Sequence, residues 1–203
     1  MMKRLRLSVL AAIAPGAMAV PAHADDGWKA VEIVKPYAIE GRTGPELYRS
    51  IGERGPRSGK SRARAIAHTN YVLRWDRTFD HSNNACTVVS ATPRLTITYT
   101  MPEPEQKLAS PVRENWAAFY AGILKHEKTH GETAKEITRE IVRRTVGLSA
   151  PDDPQCRRIR KLLAKEITAM VAVQHARDRE FDRVEMSDGG NVQQLVLALV
   201  NGG

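Results

Sequence analysis

A five-residue motif, His126-Glu127-Lys128-Thr129-His130, constrains this 203-residue chain more than any other feature. Side chains four positions apart project from the same face of a helix, about one turn apart, so both histidines can point at one ion. Glu127 follows the first histidine, where its carboxylate can reach a water held by that ion. Two neutral imidazoles and an adjacent carboxylate are what a zinc hydrolase uses to bind Zn²⁺ and to take a proton from water.

The sequence around the motif, residues 111–146, is predicted to form one continuous helix. Residues at spacings of three and four define one face of this helix, which is apolar except where the motif crosses it. The members of this face are Trp116, Tyr120, Ile123, Glu127, His130, Ala134, Ile137 and Ile141. A chance match would more often place the histidines on the face rich in lysine and arginine. The context therefore favours a metal site over a coincidental surface pair.

The first 24 residues have the pattern of a secretory signal peptide. Three basic residues precede an apolar stretch, residues 7–20, and Ala22-His23-Ala24 fits a cleavage site. The apolar stretch is too short to span a bilayer. We therefore expect a periplasmic or secreted protein, residues 25–203, that forms one domain and keeps no integral membrane segment after cleavage.

The chain is basic, but its charge pattern is not that of a nucleic-acid-binding protein. The net charge of +8 would fall by three charges on removal of the signal peptide, and the remaining excess is dispersed apart from one cluster. This cluster comprises Arg54, Arg57, Lys60, Arg62 and Arg64. It has no interleaved aromatic residues, so a solvated loop is favoured over a nucleic-acid surface.

The two cysteines, Cys86 and Cys156, lie far apart in the sequence. In an exported protein such a pair is expected to form a disulfide. The bond would join the strand-rich region to the start of the second long helix, and a loop of this length would stabilise the fold by about 4 kcal/mol. The alternative, that one cysteine binds zinc, is less favoured because neither lies in a C-x-x-C spacing.

The order of predicted elements indicates a single α+β domain, with a strand-rich half followed by two long helices. Asp153 is predicted to cap the second long helix. Strands are predicted at residues 28–39, 65–76, 87–91 and 94–99, a short helix at 46–52, a linker at 101–111, the second long helix at 155–184 and a terminal element at 191–200.

With these elements placed, the chain resembles a family of bacterial predicted secreted zinc-dependent proteases, catalogued as a domain of unknown function, from about Tyr37 to Gly190. The matching pieces are Tyr37-Ala38-Ile39-Glu40-Gly41, Glu46-Leu47, Gly55-Pro56, Thr69 with Trp75, Cys86-Thr87-Val88, the motif, and Phe181-Asp182. The resemblance implies export and a zincin-like α+β fold, in which a β-rich N-terminal half packs on a long antiparallel helical hairpin that carries the motif.

A catalytic zinc site needs a third protein ligand beside His126 and His130. If the two long helices pack antiparallel about Ala150, His175 and Asp178 lie level with the histidines, because both helices rise equally per residue. Glu166 would lie slightly before this level, nearer to the start of the second long helix.

The resemblance instead points to Asp182, which would need a tilt or an early helix end to reach the histidines. The family also tends to place a His-Gly shortly after its aromatic-Asp pair, and this chain has no histidine there. Asp188 or Glu185 would then have to substitute. We rank Asp182 first and Asp178 close behind.

The function expected from the sequence is that of a secreted zinc metallopeptidase. Glu127 would be the general base, and zinc would polarise the scissile carbonyl. The expected partner is a peptide or protein substrate, for which the cell envelope is one source, and the protein is expected to be a monomer. An amidase acting on cell-wall peptides would share this chemistry. The alternative function is not enzymatic: a non-catalytic envelope protein that binds metal or a partner and carries a vestigial motif.

Overall fold

The computed structural model describes residues 27–57 and 64–202. The predicted signal peptide and residues 58–63 of the basic cluster lie outside the described residues. The strands are β1 (Val31–Ile39), β2 (His68–Asp80), β3 (Ala85–Pro104) and β4 (Ser149–Pro151). The helices are α1 (Gly44–Arg54), α2 (Val112–Thr145), α3 (Arg157–Met186) and α4 (Asn191–Asn201). This mixture of one sheet and four helices in the described part of the chain confirms the α+β class.

Strand β3 is the centre of the sheet. It pairs in parallel with β1, from Val31 opposite Thr96 onward, and antiparallel with β2. The short strand β4 pairs with the start of β3, next to Cys86. In the order β1-β3-β2, the outer edge of β2 has no strand partner among the described residues.

The two strands predicted at residues 87–91 and 94–99 form one continuous strand, β3. Pro93 does not interrupt it, because this residue lies between the part of β3 that pairs with β4 and the part that pairs with β1. Proline lacks an N–H donor and is tolerated where a strand has a free edge. The predicted linker also begins later, since Met101 to Pro104 still pair with β1.

One face of β3 forms the main core. Leu95, Ile97, Tyr99 and Met101 are buried, whereas the threonines that alternate with them are partly exposed, as the two-residue period of a strand requires. Helices α1, α2 and α4 cover the buried face. They contribute the buried side chains Leu47, Ile51, Phe119, Ile123, Val192 and Leu199.

Gly131 allows α2 to pack closely on the sheet. A Cβ atom at this position would overlap the hydroxyl group of Tyr99. The Tyr99 hydroxyl in turn donates to Glu32 Oε2 at 2.9 Å, and Lys135 Nζ binds Glu32 Oε1 at 2.6 Å. Strands β1 and β3 are thus tied to α2 one turn beyond the motif.

The start of α3 is fixed to the sheet by a disulfide and by Asp153. Cys86 in β3 and Cys156 form the predicted disulfide, with Cα atoms 5.3 Å apart. Asp153 caps the helix, as predicted. It is not the residue that directly precedes the first helical residue, because that position is occupied by Cys156. Its carboxylate accepts from the backbone N–H groups of Arg157 at 2.7 Å and Ile159 at 2.8 Å.

None of the helices in the described part of the chain combines the length and apolar character needed to cross a membrane.

Candidate metal centre

Three donor atoms from α2 and α3 converge at the predicted site. His126 Nε2 and His130 Nε2 lie 3.3 Å apart, which follows from their four-residue spacing on α2. Asp182 Oδ1 on α3 lies 3.2 Å from the first nitrogen and 2.9 Å from the second. His126 is buried and His130 is half-buried, so both rings reach the site from inside the fold.

This donor set fits a zinc ion. Ligand atoms placed about 2.0–2.1 Å from one ion at tetrahedral angles lie about 3.3 Å from one another. The three observed separations, from 2.9 to 3.3 Å, lie at or slightly below that value. Two imidazoles with one carboxylate leave a fourth position open, as in catalytic zinc sites. The side chain of Asp182 is 47% exposed, so the triangle of donors opens towards solvent.

Nδ1 of His130, the ring nitrogen that points away from the three donor atoms, contacts a second carboxylate. Asp178 Oδ1 lies 3.3 Å from His130 Nδ1, and it also accepts from Thr133 Oγ1 at 3.1 Å and Gln174 Nε2 at 3.0 Å. Burial disfavours the charged imidazolium of His130, but the contacts with Asp178 and Asp182 outweigh it and raise the pKa of His130 to about 10. Burial raises the pKa values of both aspartates, but the contacts of Asp178 with His130 and of Asp182 with His126 and His130 outweigh it and lower both pKa values.

Phe181 fixes the orientation of both histidine rings. Its ring stacks on His126 at 4.8 Å between centroids and meets His130 edge-on at 5.3 Å. The sequence marked Phe181 only as part of the family resemblance, because nothing in its spacing shows that α3 brings it against the motif.

The glutamate of the motif is buried and is held by the sheet. Thr69 Oγ1 in β2 lies 2.5 Å from Glu127 Oε2 and 3.1 Å from the backbone oxygen of the same residue. A hydroxyl group has a single proton to donate, and the shorter contact assigns it to the carboxylate. Thr69 therefore engages Oε2 of Glu127 and leaves Oε1 outside this contact.

The three converging residues and Glu127 line one cleft of about 310 Å³. Its other wall is formed by Ala65 and Ala67, which precede β2, and by the start of β2 from His68 to Tyr71. His175 and Met186 also contribute. His175, which was level with the site by simple helix geometry, lines the cleft without joining the three donor atoms.

Two of the remaining candidates for a third ligand, Glu166 and Asp188, lie elsewhere. Glu166 lines a separate cavity between α2 and α3, together with Glu136 and Glu140. Asp188 follows the end of α3 and accepts from Gln193 Nε2 at 3.2 Å. Among the described residues, Asp182 is the acidic side chain that meets both histidines.

The simple hairpin register was wrong because the two helices are not joined by a tight turn. His130 lies 15 residues before the end of α2, whereas Asp182 lies 25 residues after the start of α3. Along antiparallel axes, α3 therefore begins about 15 Å beyond the end of α2. The connecting segment pairs with the start of β3 through β4, and the offset of α3 brings Asp182 to the motif without an early helix end.

Fold and candidate site together define an α+β protein with an H-E-x-x-H helix packed under a sheet and a His₂Asp cluster between two long helices. The chain belongs to the family described as bacterial protein of unknown function (DUF922), whose model matches residues 34–190. The match spans β1 to the end of α3 and therefore includes every residue of the cluster. Comparisons with curated proteins and with solved structures found no match.

Proposed function

We propose that this protein is an exported zinc-dependent hydrolase that cleaves peptide bonds. The observation that carries the proposal is the convergence of His126, His130 and Asp182 beside the buried carboxylate of Glu127. Donor atoms and base belong to one cleft although they come from two helices. The disulfide between buried cysteines is typical of an exported protein and supports the location.

In this proposal His126 Nε2, His130 Nε2 and Asp182 Oδ1 hold the zinc ion. When bound, zinc supplies Lewis-acid polarisation of a carbonyl and makes a water more acidic. Glu127 takes the proton of the attacking water on Oε1 and later gives it to the leaving amine nitrogen. Thr69 holds Oε2 of Glu127 and so fixes the direction of the free oxygen.

The free edge of β2 supports a peptide as the substrate. The start of this strand lines the cleft from His68 to Tyr71, and no other strand pairs with its outer edge in the described part of the chain. An extended peptide can pair with such an edge through main-chain hydrogen bonds. A peptide held there would run past Glu127, whose side chain contacts Thr69 on the same strand.

The experiment that tests the proposal measures zinc content and peptide cleavage on the chain from residue 25 onward. We expect one zinc ion per chain in the parent and in Glu127→Gln, and none in the double variant His126→Ala/His130→Ala. Cleavage of a peptide library should fall by about 10²–10⁴-fold in Glu127→Gln. Glu132→Gln, an exposed glutamate on the same helix, is the matched control and should retain parental activity.

Two results would contradict the proposal in different ways. Zinc in the parent without cleavage of any peptide would favour the alternative, a non-catalytic envelope protein that binds metal. Full activity of Glu127→Gln would disprove the assigned base.

A further inference from the structure

We propose that Asp178 and Glu185 are positioning residues that orient the two histidines for zinc, while Asp182 is the residue of α3 that contacts the ion. The inference rests on the proposed function, because it assigns roles around the same metal centre. It concerns two carboxylates that the sequence offered only as alternative ligands.

The three carboxylates lie on one face of α3. Asp178, Asp182 and Glu185 are separated by four and three residues, so their side chains project in the same direction over two turns. Helix α2 runs antiparallel to them, and this places Asp178 beside His130 and Glu185 beside His126. The middle carboxylate meets both Nε2 atoms, and each outer carboxylate faces one Nδ1 atom.

Asp178 determines which nitrogen of His130 is available to a metal. A carboxylate accepts hydrogen bonds, so the contact of 3.3 Å with Asp178 keeps a proton on Nδ1 of His130. Nε2, which lies 2.9 Å from Asp182 Oδ1, is then the nitrogen that would exchange its proton for a metal ion. Asp178 is itself held by Thr133 and Gln174, and Gln174 is buried. The orientation of the His130 ring is therefore fixed from behind by a carboxylate that cannot rotate freely.

Glu185 faces Nδ1 of His126 as Asp178 faces Nδ1 of His130. The Nδ1 atom of His126 is buried and has no hydrogen-bond partner among the described residues. Glu185 Oε2 is 3.7 Å away, on a side chain that is 20% exposed, and it also accepts from Asn191 Nδ2 at 3.2 Å. A shift of less than about 1 Å brings it to hydrogen-bond distance. Since Phe181 stacks on the ring, the carboxylate rather than the ring is the group that moves.

Both outer carboxylates are poorly placed to be ligands. Each approaches the nitrogen of its histidine that points away from the three converging atoms, and neither belongs to the cluster of His126, His130 and Asp182. Carboxylates behind metal-bound histidines are a recurrent arrangement, and their loss typically weakens metal affinity by 10–100-fold.

The first test is the zinc affinity of the chain from residue 25 onward, measured by competition with a chelator. We expect Asp178→Ala and Glu185→Ala to bind zinc about 10–100-fold more weakly than the parent. Asp178→Asn and Glu185→Gln keep an oxygen acceptor and should recover part of the loss. Glu180→Ala is the matched control, because this residue lies on the same helix, is 60% exposed and pairs with Arg183.

The second test is the imidazole N–H spectrum of the zinc-loaded protein by ¹⁵N NMR. The parent should show one protected Nδ1–H for each of the two histidines. Asp178→Ala should remove protection at His130 alone, and Glu185→Ala at His126 alone. A general loss of structure would affect both signals and would lower the melting temperature of the zinc-free protein.

The outcomes separate this inference from the proposed function. Parental zinc affinity in both alanine variants, an equal loss in Glu180→Ala, or histidines that bind zinc through Nδ1 would each overturn the inference alone. A parent that takes up no zinc overturns the inference and the proposed function together. A protein that passes both tests but cleaves no peptide supports the inference and overturns the proposed function.

Discussion

Thr69 connects the sheet to the motif through a single hydroxyl group, 2.5 Å from Glu127 Oε2. We expect Thr69→Val, which removes the hydroxyl and keeps the shape, to lower kcat for peptide cleavage by about 10–100-fold. This range corresponds to the 1.5–3 kcal/mol of a hydrogen bond to a charged group. The zinc content should stay at the parental level, because Thr69 does not contact the three converging atoms.

The control for this prediction is Thr92→Val, the same exchange at an exposed position of β3. Steady-state kinetics on one peptide substrate would measure both variants. An unchanged kcat in Thr69→Val would mean that the contact is structural and does not direct the carboxylate of Glu127.

The residues of the candidate site could be named from the sequence more readily than their contacts. His126, Glu127 and His130 follow from a local spacing, since a helix fixes which side chains share a face. Thr69 and Phe181 lie more than 50 residues from Glu127 along the chain, and only the packing of β2 and α3 shows what they touch. The roles of His126 and His130 as ligands and of Glu127 as base remain predictions.

At the scale of the elements, the sequence predicts the long helices closely and the strands less well. The ends of α2 lie within one residue of the predicted segment, because the apolar face continues from Trp116 to Ile141, about seven turns. The register between α2 and α3 could not be predicted, since it depends on β4 pairing with β3. Nothing in residues 146–156 shows this pairing, because β4 is only three residues long.

Asp153 makes the start of α3 sensitive to acid. Burial raises the pKa of Asp153, but the backbone N–H groups of Ile159, Arg158 and Arg157 outweigh it and hold the pKa below its ordinary value. A group with a lowered folded-state pKa stabilises the fold above its unfolded value of about 3.9, and this stabilisation is lost as the pH falls through the folded value.

We therefore expect Asp153→Asn to lower the melting temperature at pH 6 to 7. The difference from the parent should diminish as the pH falls below about 4. Thermal melts from pH 7 to pH 2.5 would measure this, with Asp152→Asn as the neighbouring exposed control. A deficit that is the same at every pH would show that the charge of Asp153 contributes nothing to the cap.

At the scale of the whole molecule, α3 depends on the disulfide at its start. Few of its residues are buried along its 30-residue length, and its first buried side chains pack with Cys86 and Val88 rather than with the main core. The pairing of Cys86 with Cys156 was predicted from composition and expected compartment alone, and the structure confirms it. The offset of α3 past the end of α2 was not predictable in this way.

The double variant Cys86→Ser/Cys156→Ser should lose about 4 kcal/mol of unfolding free energy, because the bond closes a loop of 70 residues. Urea denaturation of the zinc-free protein would measure this. The parent in the presence of a dithiol reductant is the control, and it should show the same loss. Equal midpoints for parent and variant would contradict the prediction.

Cys156, which anchors the start of α3 through the disulfide, lies about 39 Å along the helix from Asp182. A rigid helix transmits a displacement at one end to the other, so the disulfide contributes to the position at which Asp182 meets the two histidines. For the zinc hydrolase that we propose, disulfide formation would then precede zinc binding. A chain kept in a reducing compartment would lack the covalent anchor of α3 and would bind zinc more weakly than the exported, oxidised chain.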